Sequence, residues 1–343
     1  MSTDRTAMIE PIIEPELAIV DAHHHLWIRP EATLAAIESD SGVTAQALAP
    51  TFRRHARYLV DEFAADLNSG HNVKATVYVE ADAMYRVSGP EQMKSVGEVE
   101  FANGMAAIAA SGLFGEMRIC AGIVGGVDLR LGDAVEEVLL AQMQAGGQRY
   151  RGIRPKAVVY DEDPRTLGHF GGAPGLLLDR QFRAGFRHLE ALGLSFDAWQ
   201  LEYQLGELID LVHAFPHTQV IVNHTGGLFG LGRHVGRTQE RFGGWRENIR
   251  TLSRCSNVTI KLGGLGMPMC GFRSSFSPTP PSSVDLAREW RPYIETCIEA
   301  FGADRCMFES NFPVDAATTT YPVLWNAFKL IVRGASKQER GGG

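Results

Sequence analysis

Eight short apolar runs, several of them rich in β-branched residues, recur along this 343-residue chain, and a stretch with helical spacing follows each. They cover residues 19–25, 73–79, 118–124, 151–160, 194–199, 219–223, 257–262 and 305–310. Nearly continuous apolar strands separated by amphipathic helices are buried on both faces, which is the pattern of a parallel sheet. Eight such units imply an α/β fold closed into a (β/α)8 barrel, the TIM barrel. An open doubly wound sheet is the alternative, but it announces itself with Gly-x-Gly-x-x-Gly after the first strand, and that motif is absent. Helices are predicted over 51–68, where Tyr58, Leu59, Phe63 and Leu67 fall at three-to-four spacing, and over 92–111, 179–192, 203–215, 245–255, 282–301 and 321–333. Asp133 is expected to cap another helix through Ala145, with Glu136 completing a capping box. One domain then spans 17–333, between a flexible lead-in at 1–16 and a flexible tail at 334–343. The Pro-, Ser- and Gly-rich segment 266–283 reads as a loop over the barrel mouth, either a lid or disordered.

A barrel of this kind carries its chemistry at the C-terminal ends of the strands. The first run ends Asp21-Ala22-His23-His24-His25-Leu26-Trp27. In an extended segment alternate side chains share a face, so His23 and His25 point one way and His24 the other. Two imidazoles about 6–7 Å apart along the chain can share an ion. Asp21 falls on the same face and is placed to hold a ring N–H. The other strand ends contribute Glu80 and Asp82, then Arg154 and Lys156, Asp197, Trp199 and Glu202, Asn223 and His224, Lys261, and finally Glu309, Asn311 and Asp315. Acids, bases and imidazoles gathered at seven of the eight strand ends indicate a catalytic pocket.

Composition narrows the function. A net charge of −7 argues against a nucleic-acid partner. Five scattered cysteines without Cys-x-x-Cys give neither a disulfide frame nor a thiolate zinc site, and point to a cytoplasmic protein. The first 16 residues lack a basic start and an apolar core, and no apolar run approaches the roughly 20 residues that span a bilayer. The expected partner is a small molecule, with no membrane and no nucleic acid; homo-oligomerisation is left open.

Three segments carry a resemblance: the Asp-Ala-His-His-His-Leu-Trp opening, the turn Asn223-His224-Thr225-Gly226-Gly227, and Arg305-Cys306-Met307-Phe308-Glu309-Ser310-Asn311-Phe312-Pro313. Together they resemble the amidohydrolase superfamily, and more narrowly its amidohydrolase-related branch of lactonases acting on pyrone dicarboxylates, sugar lactones and muconolactones. The resemblance implies that His23 and His25 bind a divalent metal, and that His224 serves as a ligand or electrophile. It also implies an aspartate after the eighth strand that activates water. That position is Asn311 here, and an amide takes no proton at neutral pH. Asp315 or Glu309 is the substitute, with Asp315 preferred. The bridging ligand of two-metal members is missing, so one zinc or manganese ion is expected, with a third ligand from Glu80, Glu202, His224 or Asp315. A metal-free route is the alternative.

These readings converge on hydrolysis of a lactone or similar C–O ester in a small carboxylated substrate. Arg154, whose planar guanidinium matches a carboxylate, is expected to hold the substrate, unless it pairs with Glu80 or Asp197. Trp27, Glu80 and Glu202 complete the expected binding set, and His224, Asn311, Asp315 and Asp21 the catalytic one. Two other functions remain open on the same barrel: a metal-dependent decarboxylase, and a non-catalytic barrel that binds a small acid.

Overall fold

The computed structural model describes residues 10–155, 159–336 and 339. Eight strands form one sheet: β1 (Ala18–His24), β2 (Asn72–Val79), β3 (Arg118–Val127), β4 (Tyr150–Pro155), β5 (Ser195–Ala198), β6 (Val220–Val222), β7 (Val258–Leu262) and β8 (Cys306–Phe308). Each pairs in parallel with the next in chain order. The ring closes just past β8, where His24 bridges Phe312. There the His25 N–H donates to the Phe312 carbonyl and the Asn311 N–H to the His23 carbonyl, each at 2.8 Å. This is the expected (β/α)8 barrel. Among the described residues no helix is long and apolar enough to cross a membrane.

The helix Arg180–Leu192 shows how the outer layer forms. The Asp179 carboxylate accepts the Phe182 N–H at 2.8 Å and caps the start, while Gly193 takes the left-handed conformation that ends the helix. Phe182, Phe186 and Leu189 recur on one face and are buried. Phe186 meets Phe196 of β5 with ring centroids 4.9 Å apart. Burying each such side chain stabilises the fold by roughly 1.5–3 kcal/mol.

Several boundaries differ from the sequence reading. The predicted helix 51–68 is two helices, Val43–Arg54 and Val60–Leu67. Between them Arg57–Tyr58 pairs antiparallel with Trp27–Ile28, and Glu62 caps the second helix by accepting the Leu59 N–H at 2.8 Å. Asp133 is not a cap. Its helix runs Val135–Gly146, and Asp133 instead accepts from Arg187 and His188 at 2.6 and 3.0 Å. The strand expected at 151–160 ends at Pro155, and Lys156 lies outside the described residues.

Several polar groups of residues 10–16, part of the expected flexible lead-in, are held by the barrel. Lys329 Nζ donates to the carbonyls of Ile13 and Glu14, and the Ile13 N–H donates to Asn326. Residues 1–9, 337, 338 and 340–343 lie outside the described residues. The segment 266–283 is neither a free lid nor disordered at its start. Met267, Pro268, Met269 and Cys270 are buried, and the Gly266 N–H is held by Asp315 at 2.8 Å.

Candidate active site

A cleft of about 550 Å3 opens at the C-terminal ends of the strands. His25, Arg154, His224 and Asn311 line its polar end; Trp27 and Trp199 flank them. Beneath it lie His23 and Glu309, both fully buried.

β1 delivers its histidines through an irregularity. Its register against β2 shifts between Asp21 and His24, so simple alternation fails there. Asp21 therefore does not hold a histidine ring. Its carboxylate accepts the Ser310 N–H at 2.8 Å, the His23 backbone N–H at 3.3 Å and the Tyr321 hydroxyl at 3.1 Å. It ties the first strand to the last, and burial raises its pKa to about 6. His24 points outward, stacked on Phe63 with Nε2 2.9 Å from Thr76 Oγ1.

His23 lies at the centre. Its Nδ1 is 2.9 Å from Glu309 Oε2, and its Nε2 is 3.3 Å from both His25 Nε2 and Arg154 Nη1. Glu309 Oε1 also accepts the backbone N–H of His224 at 3.0 Å and approaches its Nδ1 at 2.8 Å. One buried carboxylate thus faces two imidazoles; the hydrogen bond to His224 Nδ1–H leaves that ring's Nε2 as a lone pair, while at His23 Nδ1 the carboxylate shares the position with Lys261 Nζ, 3.5 Å away. Burial, reinforced by Lys261 for His23 and by Arg154 for His25, pushes both pKa values well below the usual histidine range. These rings are neutral at pH 7.

The local backbone is shaped to allow this. His224, Thr225, Gly226 and Gly227 all have positive φ, a left-handed turn after β6. A Cβ on Gly227 would lie 1.8 Å from the Gln200 carbonyl oxygen. Strain of this kind concentrates at working sites. After β7, Gly263 makes room for the acid, because a Cβ there would lie 2.4 Å from Glu309 Cγ.

Other expected site residues are placed differently. Arg154 is already paired: Nε donates to Glu80 Oε1 and Nη2 to the Glu80 carbonyl, both at 2.6 Å. Glu202 does not line the cleft, and its carboxylate is 2.6 Å from Arg241. Trp27 lines the cleft and donates its ring N–H to the His55 carbonyl at 2.7 Å. Asp315 stands behind Asn311, accepting its Nδ2 at 2.7 Å, so it reaches neither histidine nor cleft. Burial raises its pKa well above the carboxylate range. The acid that does meet the histidines is Glu309, the less favoured of the two substitutes. Its sequence signal was its position directly after β8.

The donor chemistry fits a divalent ion. His25 Nδ1–H donates to the Val79 carbonyl at 2.8 Å, so Nε2 is a lone pair. Asn311 gives its N–H to Asp315, so the oxygen it turns to His25 Nε2 at 3.2 Å is also an acceptor. Two acceptors facing each other suit a cation between them. On the other side of His23, ligand atoms of His23, His224 and Glu309 all lie within 4.8 Å of one another. Nitrogen and carboxylate donors of this kind suit zinc. Of the proposed third ligands, Glu80, Glu202 and Asp315 are committed elsewhere, and His224 belongs to this group.

The amidohydrolase family profile matches residues 20–341. The chain belongs to the amidohydrolase family. This amidohydrolase is 34% identical over 325 residues to the protein y4mH of Sinorhizobium fredii, covering 95% of each chain. Solved structures share its fold. An amidohydrolase from Burkholderia multivorans with bound zinc superposes with TM-score 0.68 at 22% identity, over 94% of both chains. A probable 2-pyrone-4,6-dicarboxylic acid hydrolase from Acinetobacter baumannii, with citric acid bound, gives TM-score 0.59 at 14% identity, over 94% of this chain and 95% of that one. A 5-carboxyvanillate decarboxylase from Novosphingobium aromaticivorans, complexed with manganese, gives 0.56 at 11% identity, over 96% and 94%.

The geometry fixes the sign of one substitution in this amidohydrolase. Asn311→Asp would set a second carboxylate against buried Asp315, and two buried acids in contact cannot both ionise. Turnover is expected to fall by roughly tenfold or more, with a lower melting temperature. A rise in turnover would instead mean that the amide impairs catalysis.

Proposed function

We propose that this amidohydrolase hydrolyses a C–O ester bond, in the first instance a lactone, in a small carboxylated substrate. The observation that carries this reading is the buried Glu309 carboxylate set against His23 and His224 under a cleft into which Arg154 turns an N–H.

The carbonyl of the substrate binds at the polar end of the cleft, where Arg154 Nη1 supplies a hydrogen bond as its oxygen becomes negative. His224, its Nδ1–H directed at Glu309, uses Nε2 to take a proton from water as the water attacks. Glu309 fixes the tautomer and stabilises the imidazolium that forms, as a buried carboxylate does behind a catalytic histidine. The imidazolium then returns the proton to the departing alkoxide. An amine leaving group needs that proton earlier, so an ester is favoured over an amide. A divalent ion held by His23, His25 and Asn311, which leaves His224 free for the proton, would polarise the carbonyl and lower the pKa of bound water to about 7. The zinc-bound relative and the relative described as a pyrone-dicarboxylate hydrolase support this choice.

The test combines elemental analysis with a lactone panel assayed before and after chelation. The expected result is acid release from at least one carboxylated lactone, about one equivalent of zinc or manganese, and activity lost on chelation and restored by either metal. Carbon dioxide release from an aromatic acid, with no lactone opened, would replace this reading with decarboxylation.

A further inference from the structure

We propose that Arg29, and not Arg154, holds the carboxylate of the ligand. The inference rests on the reading of the cleft as a site for a small carboxylated molecule.

Three arginines line the cleft among the described residues. Arg154 is neutralised by Glu80 at 2.6 Å, and Arg130 by Asp128 at 2.7 Å. Arg29 forms no ion pair among the described residues. Its guanidinium carbon lies 4.3 Å from the centroid of Trp27 and 4.5 Å from that of Phe52, so two aromatic faces fix its position. One N–H, on Nη2, is spent on the Ala81 carbonyl at 3.2 Å. Its Nε is buried without a hydrogen-bond partner. Burial pulls its pKa below the usual arginine value, while the charge of Asp82 opposes that shift.

A positioned guanidinium with donors to spare presents the planar fork that carboxylates match. It is held at the first loop of the barrel, while Arg154 is directed to the histidines. The two cations therefore divide the work. Arg29 takes the ionised end of the ligand, and Arg154 faces the bond to be broken. Arg29 is a substrate-binding residue in this scheme and takes no part in proton transfer.

The experiment is calorimetric titration of the wild type, Arg29→Met and Arg29→Lys with C4–C10 aliphatic and aromatic mono- and dicarboxylates. Each acid is matched with its amide. The expected result is that at least one carboxylate binds the wild type more tightly than its amide, and that Arg29→Met weakens it by roughly 10- to 100-fold and abolishes the preference. Arg29→Lys keeps the charge without the fork and is expected to recover part of the loss. Thermal melting of both variants confirms that they fold. The proposal is overturned if the preference survives in Arg29→Met, or if no carboxylate outbinds its amide in the wild type. Binding is measured without turnover, so loss of the hydrolytic reading shows separately, as intact carboxylate binding with no lactone opened.

Discussion

Glu309→Gln lowers kcat/KM by roughly 10²- to 10⁴-fold while leaving the fold intact. The carboxylate lies 2.9 Å from His23 Nδ1 and 2.8 Å from His224 Nδ1. An amide keeps the volume but offers one acceptor oxygen and an NH2 that faces an N–H. One ring must then flip its tautomer or turn away, and the Nε2 lone pair it offers the cleft is lost. Metal content, measured on the same variant, is expected to fall in parallel, because a partner of a ligating histidine typically matters 10- to 100-fold for affinity. A variant with unchanged turnover and unchanged metal would remove Glu309 from the mechanism.

Gly264→Ala destabilises the protein by about 2–5 kcal/mol and reduces turnover at the same time. Gly264 has φ +65°, a left-handed conformation that disfavours any side chain, and a Cβ there would lie 2.5 Å from His224 Cγ and Nδ1. The imidazole must move, and its contact with Glu309 goes with it. Urea unfolding reads the stability and a lactone assay the turnover. A stability loss with kcat unchanged would show that the ring tolerates displacement, contrary to the role given to His224.

The barrel was legible because its signal is local. Runs such as 119–124 and 220–222 are apolar on both faces, and a parallel sheet under helices buries them so. The proximity of His23 and His25 was legible for the same reason, since two residues apart on a strand is a statement about neighbours. Asp21 misled because the register shift in β1 is set by the pairing partner. The contacts of Glu309 needed three strands at once, β1, β6 and β8, and within residues 305–315 only its place directly after β8 set it apart from Asp315. Gly263-Gly264, directly after β7, was the available hint, since adjacent glycines at a strand end mark a close approach. Arg29 was hidden by the misplaced helix boundary, since its aromatic sandwich needs Phe52 brought back over Trp27 by the small ribbon.

The seam of the barrel has a consequence for the order of events during synthesis. His25 and Asn311, which face each other at 3.2 Å, are 286 positions apart. The imidazoles of β1 leave the ribosome well before Glu309, the carboxylate that faces them across the seam. Until the eighth strand emerges, no intermediate of any length contains an assembled centre, however much of the sheet has already formed. Closing so long a loop carries an entropic penalty that the earlier strands largely relieve by bringing the two edges near each other. On the proposed mechanism, catalytic activity therefore reports on the finished barrel, and a chain that lacks β8 is expected to be silent even when most of its secondary structure is present.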